Sequence, residues 1–329
     1  MKRLCIYIIL CTALLAALVS CKKGGDSGSG ETTTEEVCPV KFNADSAFTS
    51  IERQCSFGPR VPNSAAHDSC AIYIASAFRA YGLSVSEQRT TLTAWDGNKL
   101  GCINIIAQYK PEAQRRVLIC THWESRPWAD QDADESKRRE PVMAANDGAS
   151  GVAVMLEIAR NLKELNPSVG IDFVCFDCED YGAPEWAEGP GDGSDWCLGS
   201  QYFATHLPEG YVKPAYGILL DMVGGQDAQF LFEQNSKRYA EDVVARVWGC
   251  AATAEATDWF VSRDGMAAID DHIPLIEKAG IPTIDIISNN GMGFSSTWHT
   301  TQDTPAFISR DVLRAVGQTL LQVLYEEES

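Results

Sequence analysis

The stretch GIDFVCFDCED, residues 170–180, decides the fold. It runs from an apolar strand, Gly170 to Phe176, directly into a group of carboxylates. On both sides of it, short apolar β runs alternate with segments of helical apolar spacing. This alternation predicts a mostly parallel sheet with helices on both faces. The expected fold class is therefore α/β, a three-layer fold with a central, mostly parallel mixed sheet flanked by helices.

The remaining elements follow from the same patterns on either side of this stretch. The predicted strands cover 102–109, 116–120, 170–176, 216–222 and 283–287. The predicted helices cover 44–53, 66–81, 150–165, 198–205, 238–251 and 310–325. Sheets of this class bind ligands at the carboxyl ends of their strands, so the residues just after each strand are the candidates for function.

The N-terminal residues have the composition of a leader. Two basic residues precede an apolar stretch that ends in a small residue just before Cys21. We expect residues 1–20 to be a lipoprotein signal peptide, Cys21 to carry the lipid, and residues 21–36 to be a flexible tether. An ordinary signal peptide with an incidental cysteine is the alternative. Residues 37–329 then form a single catalytic domain of a chain exported and lipid-anchored to the bacterial envelope.

The charge and the cysteines narrow the classes of partner and of site. The formal net charge is −18 at pH 7, which argues against nucleic acid and against anionic membrane surfaces. Of the 12 cysteines, nine remain after the leader and Cys21, so at least one thiol stays free unless pairing is intermolecular. The close pair Cys175 and Cys178 is interpreted as buried small hydrophobes and not as ligands of a zinc ribbon.

Side chains able to bind a metal follow one predicted strand after another. They are His122 after 116–120, Asp177, Glu179 and Asp180 after 170–176, Asp221 after 216–220, His299 after 283–287, and Asp147 and Asp270 at two helix starts. One acid at a helix start is usually a cap, but so many carboxylates at one sheet edge repel each other without a cation. Histidine nitrogen with carboxylate oxygen suits zinc, and an incomplete protein shell leaves room for substrate.

Five segments in order carry a family resemblance over nearly the whole domain. They are HWESRPWAD (122–130), NDGASGVA (146–153), FDCED (176–180), DDHIP (270–274) and WHT (298–300). Together they resemble the motifs of the zinc aminopeptidase-like superfamily and, within it, of the glutaminyl-peptide cyclotransferases. The resemblance implies one Zn²⁺ per chain, and it implies a zinc-dependent acyltransferase that converts N-terminal glutamine of peptides or proteins to pyroglutamate and releases ammonia.

The resemblance also implies a role for individual residues. The zinc ligands would be Asp147, Asp180 and His299, although the animal cyclases usually have glutamate at the position of Asp180. Glu179 would be the general acid and base. The other implied roles are a carboxylate network with Glu179 for Asp221 and Asp270, and substrate binding for Trp298, Trp186 and His122. Crowding of these carboxylates should raise at least one of their pKa values.

Two other functions remain open at this point. A dinuclear zinc aminopeptidase would use His122 and Asp221 as further ligands beside Asp147, Asp180 and His299, so ligand identity alone does not decide between them. Whether a second zinc binds at His122 and Asp221 stays open for the same reason. A non-catalytic binding lipoprotein is disfavoured because Glu179 has no evident role in it. We expect a monomer that acts on peptide N-termini.

Overall fold

The structure, a computed structural model, describes residues 36–327. The predicted signal peptide, Cys21 and all but the last residue of the predicted tether lie outside the described residues, so those assignments stay predictions. From Val37 onward the chain forms one compact unit. Within the described part of the chain, no helix is both long and apolar enough to cross a bilayer.

A six-stranded mixed sheet lies at the centre of this unit. In chain order its strands are β1 (Ser84–Thr93), β2 (Lys99–Tyr109), β3 (Arg116–His122), β4 (Gly170–Phe176), β5 (Tyr216–Asp221) and β8 (Thr283–Ile287). Their spatial order is β1-β2-β4-β3-β5-β8. The pairings among β4, β3, β5 and β8 are parallel, and those of β1 with β2 and of β2 with β4 are antiparallel. The fold class predicted from the sequence is confirmed.

Helices cover both faces because the parallel strands are apolar on both. In β4, Phe173 faces a large core and Val174 faces a smaller one, as the alternation of side chains along a strand requires. The large core is closed by α1 (Ala44–Cys55), α2 (Ala65–Ala80), α3 (Ala149–Leu165), α6 (Glu241–Thr253) and α8 (Arg310–Tyr325). The smaller core is closed by α4 (Leu198–Thr205) and a π-helical turn over Leu275–Ala279.

The helix predicted over 238–251 is confirmed from residue 241 onward, but its predicted start is wrong. The chain forms two helices there, α5 (Gln234–Tyr239) and α6, which are separated at Ala240. Glu233 caps α5 by accepting hydrogen bonds from the backbone of Asn235 and Ser236, which fixes an earlier start. A two-stranded sheet of β6 (Phe230–Phe232) and β7 (Phe260–Asp264) flanks this pair of helices, and neither strand is predicted by the sequence patterns.

The cysteines of the described residues are all buried and none forms a disulfide. Cys175 lies within β4 and Cys178 follows it, both without measurable exposure. Their interpretation as small buried side chains agrees with this placement.

The short helix α7 (His272–Pro274) precedes the π-helical turn and begins directly after the paired acids Asp270 and Asp271.

Candidate metal and active site

The strand ends and loops bring the predicted ligands together. His122 and Asp221 are the last residues of β3 and β5, and Glu179 and Asp180 follow β4. Asp147 precedes α3 and His299 lies in the loop after β8. These residues are all at least nine-tenths buried, so the site is a cluster of charges largely removed from water.

Asp147, Asp180 and His299 form a group that fits a zinc ion. His299 Nε2 lies 3.1 Å from Asp180 Oδ1 and 3.7 Å from Asp147 Oδ2. One buried oxygen on each acid, Asp147 Oδ2 and Asp180 Oδ2, has no hydrogen-bond partner. Unpartnered buried carboxylate oxygens are costly, and here two acids that lie beside the same imidazole each carry one, which indicates a cation site. One nitrogen and two oxygens also match the ligands that zinc prefers.

Arg126 holds Asp180 in this arrangement. Its Nη1 donates to the backbone oxygen and to Oδ1 of Asp180, each at 3.1 Å, while Nε and Nη2 bind Asp130 at 2.7 and 2.8 Å. On the other side, Glu124 Oε1 accepts a hydrogen bond of 2.8 Å from the Asp180 amide. Asp180 is therefore fixed through both its backbone and its side chain.

Asp303 holds the backbone of Asp147 in place. Its two carboxylate oxygens accept hydrogen bonds from the backbone amides of Asn146, at 2.7 Å, and of Asp147, at 3.0 Å. Asp303 has no exposed surface, and burial together with the charge of Asp147 raises its pKa to about 7. The loop that presents Asp147 is thus tied to the loop that follows His299.

Replacing Asp303 should weaken metal binding although Asp303 touches no metal. The Asp303→Asn variant exchanges one acceptor for a donor, so one of the two loop amides loses its partner. Changes to groups that orient ligands typically cost about 10- to 100-fold in metal affinity. We expect a loss of this size in a chelator competition. Asp227→Asn is the matched control, because Asp227 binds the nearby loop at Ser295 and Ser296 without contacting a ligand; an equal loss in both variants would contradict the assignment.

Glu179 lies next to the metal group but is oriented by other residues. Its carboxyl oxygen is within 4.8 Å of Cys197 Sγ and of an oxygen of Asp270. Burial, followed by the charge of Asp180, raises the pKa of Glu179 well above its usual value. A carboxyl group with a raised pKa can hold and release a proton near neutral pH, which is what a general acid and base requires.

His122 bridges two further acids. Its Nε2 lies 3.0 Å from Asp147 Oδ1 and 3.3 Å from Asp221 Oδ1. Burial opposes protonation of this imidazole, but the hydrogen bonds with Asp147 and Asp221 prevail and raise its pKa well above the usual value. Burial also raises the pKa of Asp221 to about 6. These three side chains also have the composition of a second cation site.

The backbone at the site adopts conformations that side chains other than glycine rarely take. Cys178, Met222 and His299 have φ values of 55°, 50° and 54°. Each of them is either a candidate ligand or the immediate neighbour of a site residue. Left-handed non-glycine residues gather at functional sites, where the surrounding structure enforces them. The turn after β4 thus directs Glu179 and Asp180 to the same edge of the sheet.

Two indole rings stack against the imidazole of His299. Trp298 stacks on it with ring centroids 3.8 Å apart, and Trp196 lies parallel to it at 5.9 Å. Gly182 lets the Trp196 indole approach, since a Cβ there would collide with the ring. Trp186 is 41% exposed and contacts Trp128 and Arg139, and its role in substrate binding stays a prediction.

Several residues of the site are not among the site residues predicted from the sequence. They are Glu124, Arg126, Asp130, Trp196, Cys197 and Asp303. Arg126 and Asp130 are four residues apart within the segment 122–130, and this spacing of opposite charges is a local signal for a pair that supports a ligand. The contacts of Trp196 and Asp303 depend on tertiary structure, so spacing alone does not indicate them.

Solved structures with the same fold include bacterial glutaminyl cyclases and a bacterial leucine aminopeptidase precursor. A glutaminyl cyclase from Bacteroides thetaiotaomicron, bound to N-acetylhistamine, is 44% identical, covers 88% of this chain and 99% of its own, and has a TM-score of 0.86. A glutaminyl cyclase from Tannerella forsythia is 46% identical, with coverages of 88% and 100% and a TM-score of 0.85. A leucine aminopeptidase precursor from Bacteroides thetaiotaomicron is 44% identical, with coverages of 89% and 100% and a TM-score of 0.86.

The curated relatives also include an aminopeptidase and a glutaminyl-peptide cyclotransferase, at lower sequence identity. Aminopeptidase YwaD of Bacillus subtilis (strain 168) is 28% identical over 233 residues, which are 68% of this chain and 44% of that protein. Glutaminyl-peptide cyclotransferase of Bos taurus is 25% identical over 253 residues, 68% of this chain and 65% of that protein. This chain therefore spans less than two thirds of either relative. The model of peptidase family M28 matches residues 104–324, which contain every candidate ligand. The chain is a zinc-dependent enzyme of the α/β class, and it belongs to peptidase family M28.

Proposed function

We propose that this chain is a glutaminyl-peptide cyclotransferase, which converts N-terminal glutamine of peptides to pyroglutamate and releases ammonia. The observation that carries the proposal is its likeness, over nearly the full length of both chains, to bacterial glutaminyl cyclases. The site supports it independently, because a buried acid with a raised pKa lies beside a metal group that is flanked by indole rings.

One zinc per chain would be held by Asp147, Asp180 and His299. Bound there, the ion would polarise the γ-carbonyl of the substrate glutamine. Arg126 and Asp303 keep two of the three ligands in place before any metal arrives, through the hydrogen bonds to Asp180 and to the amide of Asp147. A preorganised set of ligands of this kind needs little rearrangement on binding.

Glu179 would carry the proton during the reaction. It accepts a proton from the α-amine of the substrate, which then forms a bond to its own γ-carbonyl carbon and closes a five-membered ring. The same carboxyl group then delivers the proton to the departing ammonia. Asp270, whose pKa is raised to about 7 by burial and by Asp221, lies close enough to Glu179 to adjust its proton affinity.

The indoles favour cyclisation over hydrolysis. Trp298 and Trp196 both stack against His299, and apolar rings at this position would restrict the entry of water. His122 occupies the space between Asp147 and Asp221, so these acids already have a positively charged partner. Both features support a single zinc and an intramolecular nucleophile.

A dinuclear aminopeptidase is the second candidate, and a specific observation favours it. His122, Asp147 and Asp221 present ligand atoms within 4.8 Å of one another, which is compatible with a second cation. In that case a water molecule would attack the peptide bond and Glu179 would remove its proton. The two candidates share their fold and most of their ligands, so the reaction and the zinc content separate them.

The deciding experiment offers both kinds of substrate to the domain from Val37 onward. A peptide with N-terminal glutamine should lose the mass of ammonia and otherwise stay intact, in a protein containing about one zinc per chain. The same peptide with an acetylated α-amine should not react, because its nucleophile is blocked. Release of free N-terminal amino acids by a protein with about two zinc ions would instead establish the aminopeptidase.

A further inference from the structure

The turn that carries Glu179 is bound by a segment that the mechanism above does not use, residues 196–199 at the start of α4. The backbone amide of Cys197 donates a 2.9 Å hydrogen bond to the carbonyl oxygen of Glu179. The amide of Leu198 donates a 3.1 Å hydrogen bond to the carbonyl oxygen of Cys178. Residues 197 and 198 therefore lie directly beside the turn that follows β4, and this turn presents the proposed acid and base.

Contacts on either side of Cys197 hold this segment in place. A Cβ on Gly199 would collide with the backbone oxygen of Asp177, so glycine permits the start of α4 to approach the end of β4. On the other side, Trp196 stacks against the imidazole of His299, with ring centroids 5.9 Å apart. Cys197 thus lies between a contact with the strand end and a contact with a candidate zinc ligand.

The side chain of Cys197 reaches the carboxyl group of Glu179. Cys197 Sγ donates a hydrogen bond to Glu179 Oε1, with 3.6 Å between sulfur and oxygen. Only 2% of Cys197 is exposed, and burial followed by the charge of Glu179 raises the pKa of the thiol well above its usual value. The thiol therefore keeps its proton and acts as a hydrogen-bond donor, not as a reactive anion.

The two carboxyl oxygens of Glu179 have different surroundings. Within residues 36–327, the hydrogen bond from Cys197 to Oε1 is the one that this carboxyl group receives. His122 Nδ1 lies 3.9 Å from Oε2, which is beyond hydrogen-bonding distance. Glu179 also retains 8% of its surface exposed. One oxygen is thus held by the protein, and the other remains available to a bound molecule.

We propose that Cys197 is a positioning residue for the reaction: its thiol holds Oε1 of Glu179, so that Oε2 is the oxygen that takes the proton from the substrate and returns it. The inference rests on the proposed role of Glu179 as general acid and base. A carboxyl group that is held by one oxygen presents the other in a fixed direction, and proton transfer requires this alignment. Cys197 acts only through Glu179 and takes no proton from the substrate.

Two variants separate the hydrogen bond from the rest of the side chain. Cys197→Ala removes the donor, so Oε1 loses its partner and the carboxyl group is free to rotate. We expect kcat to fall by about two- to tenfold, the range that corresponds to the net strength of one hydrogen bond. KM and the zinc content should stay those of the wild type, because neither substrate nor metal loses a contact. Cys197→Ser keeps a donor at the same position and should recover most of the lost kcat.

Cys38→Ala is the matched control. Cys38 is also fully buried, and its Sγ donates a hydrogen bond to the carbonyl oxygen of Val40 at 3.7 Å. Its backbone amide binds Gln322 on α8 and not a residue of the site. The control therefore measures the general effect of deleting a buried, hydrogen-bonded thiol, and it should lower the melting temperature without changing kcat.

The inference is overturned if folded, zinc-loaded Cys197→Ala keeps the wild-type kcat, if Cys197→Ser loses as much kcat as Cys197→Ala, or if Cys38→Ala does so. A loss that appears in KM or in zinc content instead also overturns it. If Cys197→Ala does not fold, Cys197→Gly takes its place, because glycine lacks the donor and suits the φ of 58° at this position. Since Glu179 is the base in both candidate reactions, kcat is measured on whichever peptide the wild type converts, and failure of the cyclase proposal leaves this test intact.

Discussion

Glu179→Gln should abolish most of the activity while leaving the fold and the zinc content intact. Glutamine has the shape of the glutamate side chain but can neither accept the proton of the α-amine nor return it to ammonia. General acid–base catalysis typically contributes about 10²- to 10⁴-fold, and we expect kcat to fall by this factor. KM should change little, because the loss affects only the transition state.

The control for this prediction is Glu157→Gln. Glu157 is also buried but binds Arg160 on the same helix, α3, and not the site. Its replacement should lower stability and leave kcat unchanged. If Glu179→Gln retained wild-type kcat at full zinc occupancy, the proton transfer would have to be assigned to another group, and Asp270 would be examined first.

Asp180→Ala should remove the zinc. Structural zinc sites with four ligands bind with about 10–16 kcal/mol, so the loss of one ligand is expected to cost on the order of 3 kcal/mol, about 10²-fold in affinity. In the variant Arg126 Nη1 keeps the backbone oxygen of Asp180 as an acceptor, and Asp130 still neutralises that guanidinium. Metal analysis of the purified variant and chelator competition measure the effect.

Asp180→Glu is the conservative partner of that variant. It restores the carboxylate with one more methylene group, so zinc binding and measurable activity should return after a small adjustment of the turn. If Asp180→Ala kept its zinc through purification, the metal would have to be bound by a different group, and the cluster of His122, Asp147 and Asp221 would be the alternative.

Where the sequence predicted the fold well, the pattern was strong and local. The strands 170–176 and 283–287 and the helix 310–325 have the predicted bounds, because continuous apolar runs and a regular apolar helix face are recognisable without tertiary context. The edge strand β1 was missed because it is half exposed and mixes polar with apolar residues. The break at Ala240 was missed because no glycine or proline marks it.

The candidate site was also predicted only where the sequence signal is local. The ligands could be predicted because each of them follows a strand or begins a helix, where the topology of the sheet brings them together. The roles of Asp303 and Trp196 could not be predicted, since their partners Asp147 and His299 lie 156 and 103 residues away in the chain. His272 lies in the segment 270–274 with no role assigned from the sequence, and its position between Glu233 and Asp285 comes from the tertiary structure.

The cluster of buried carboxyl groups makes loading of this protein a proton-exchange reaction. Without metal, Asp180 and Glu179 favour their neutral forms, since burial raises the pKa of each. An acid whose pKa is raised by folding stabilises the folded state at low pH and loses that contribution as the pH rises through the new pKa. Incoming zinc takes over that role by displacing protons from its ligands. Low pH and zinc would therefore each stabilise the folded protein, the first through protonated acids and the second through metal–ligand bonds. Zinc binding would release protons to the solvent.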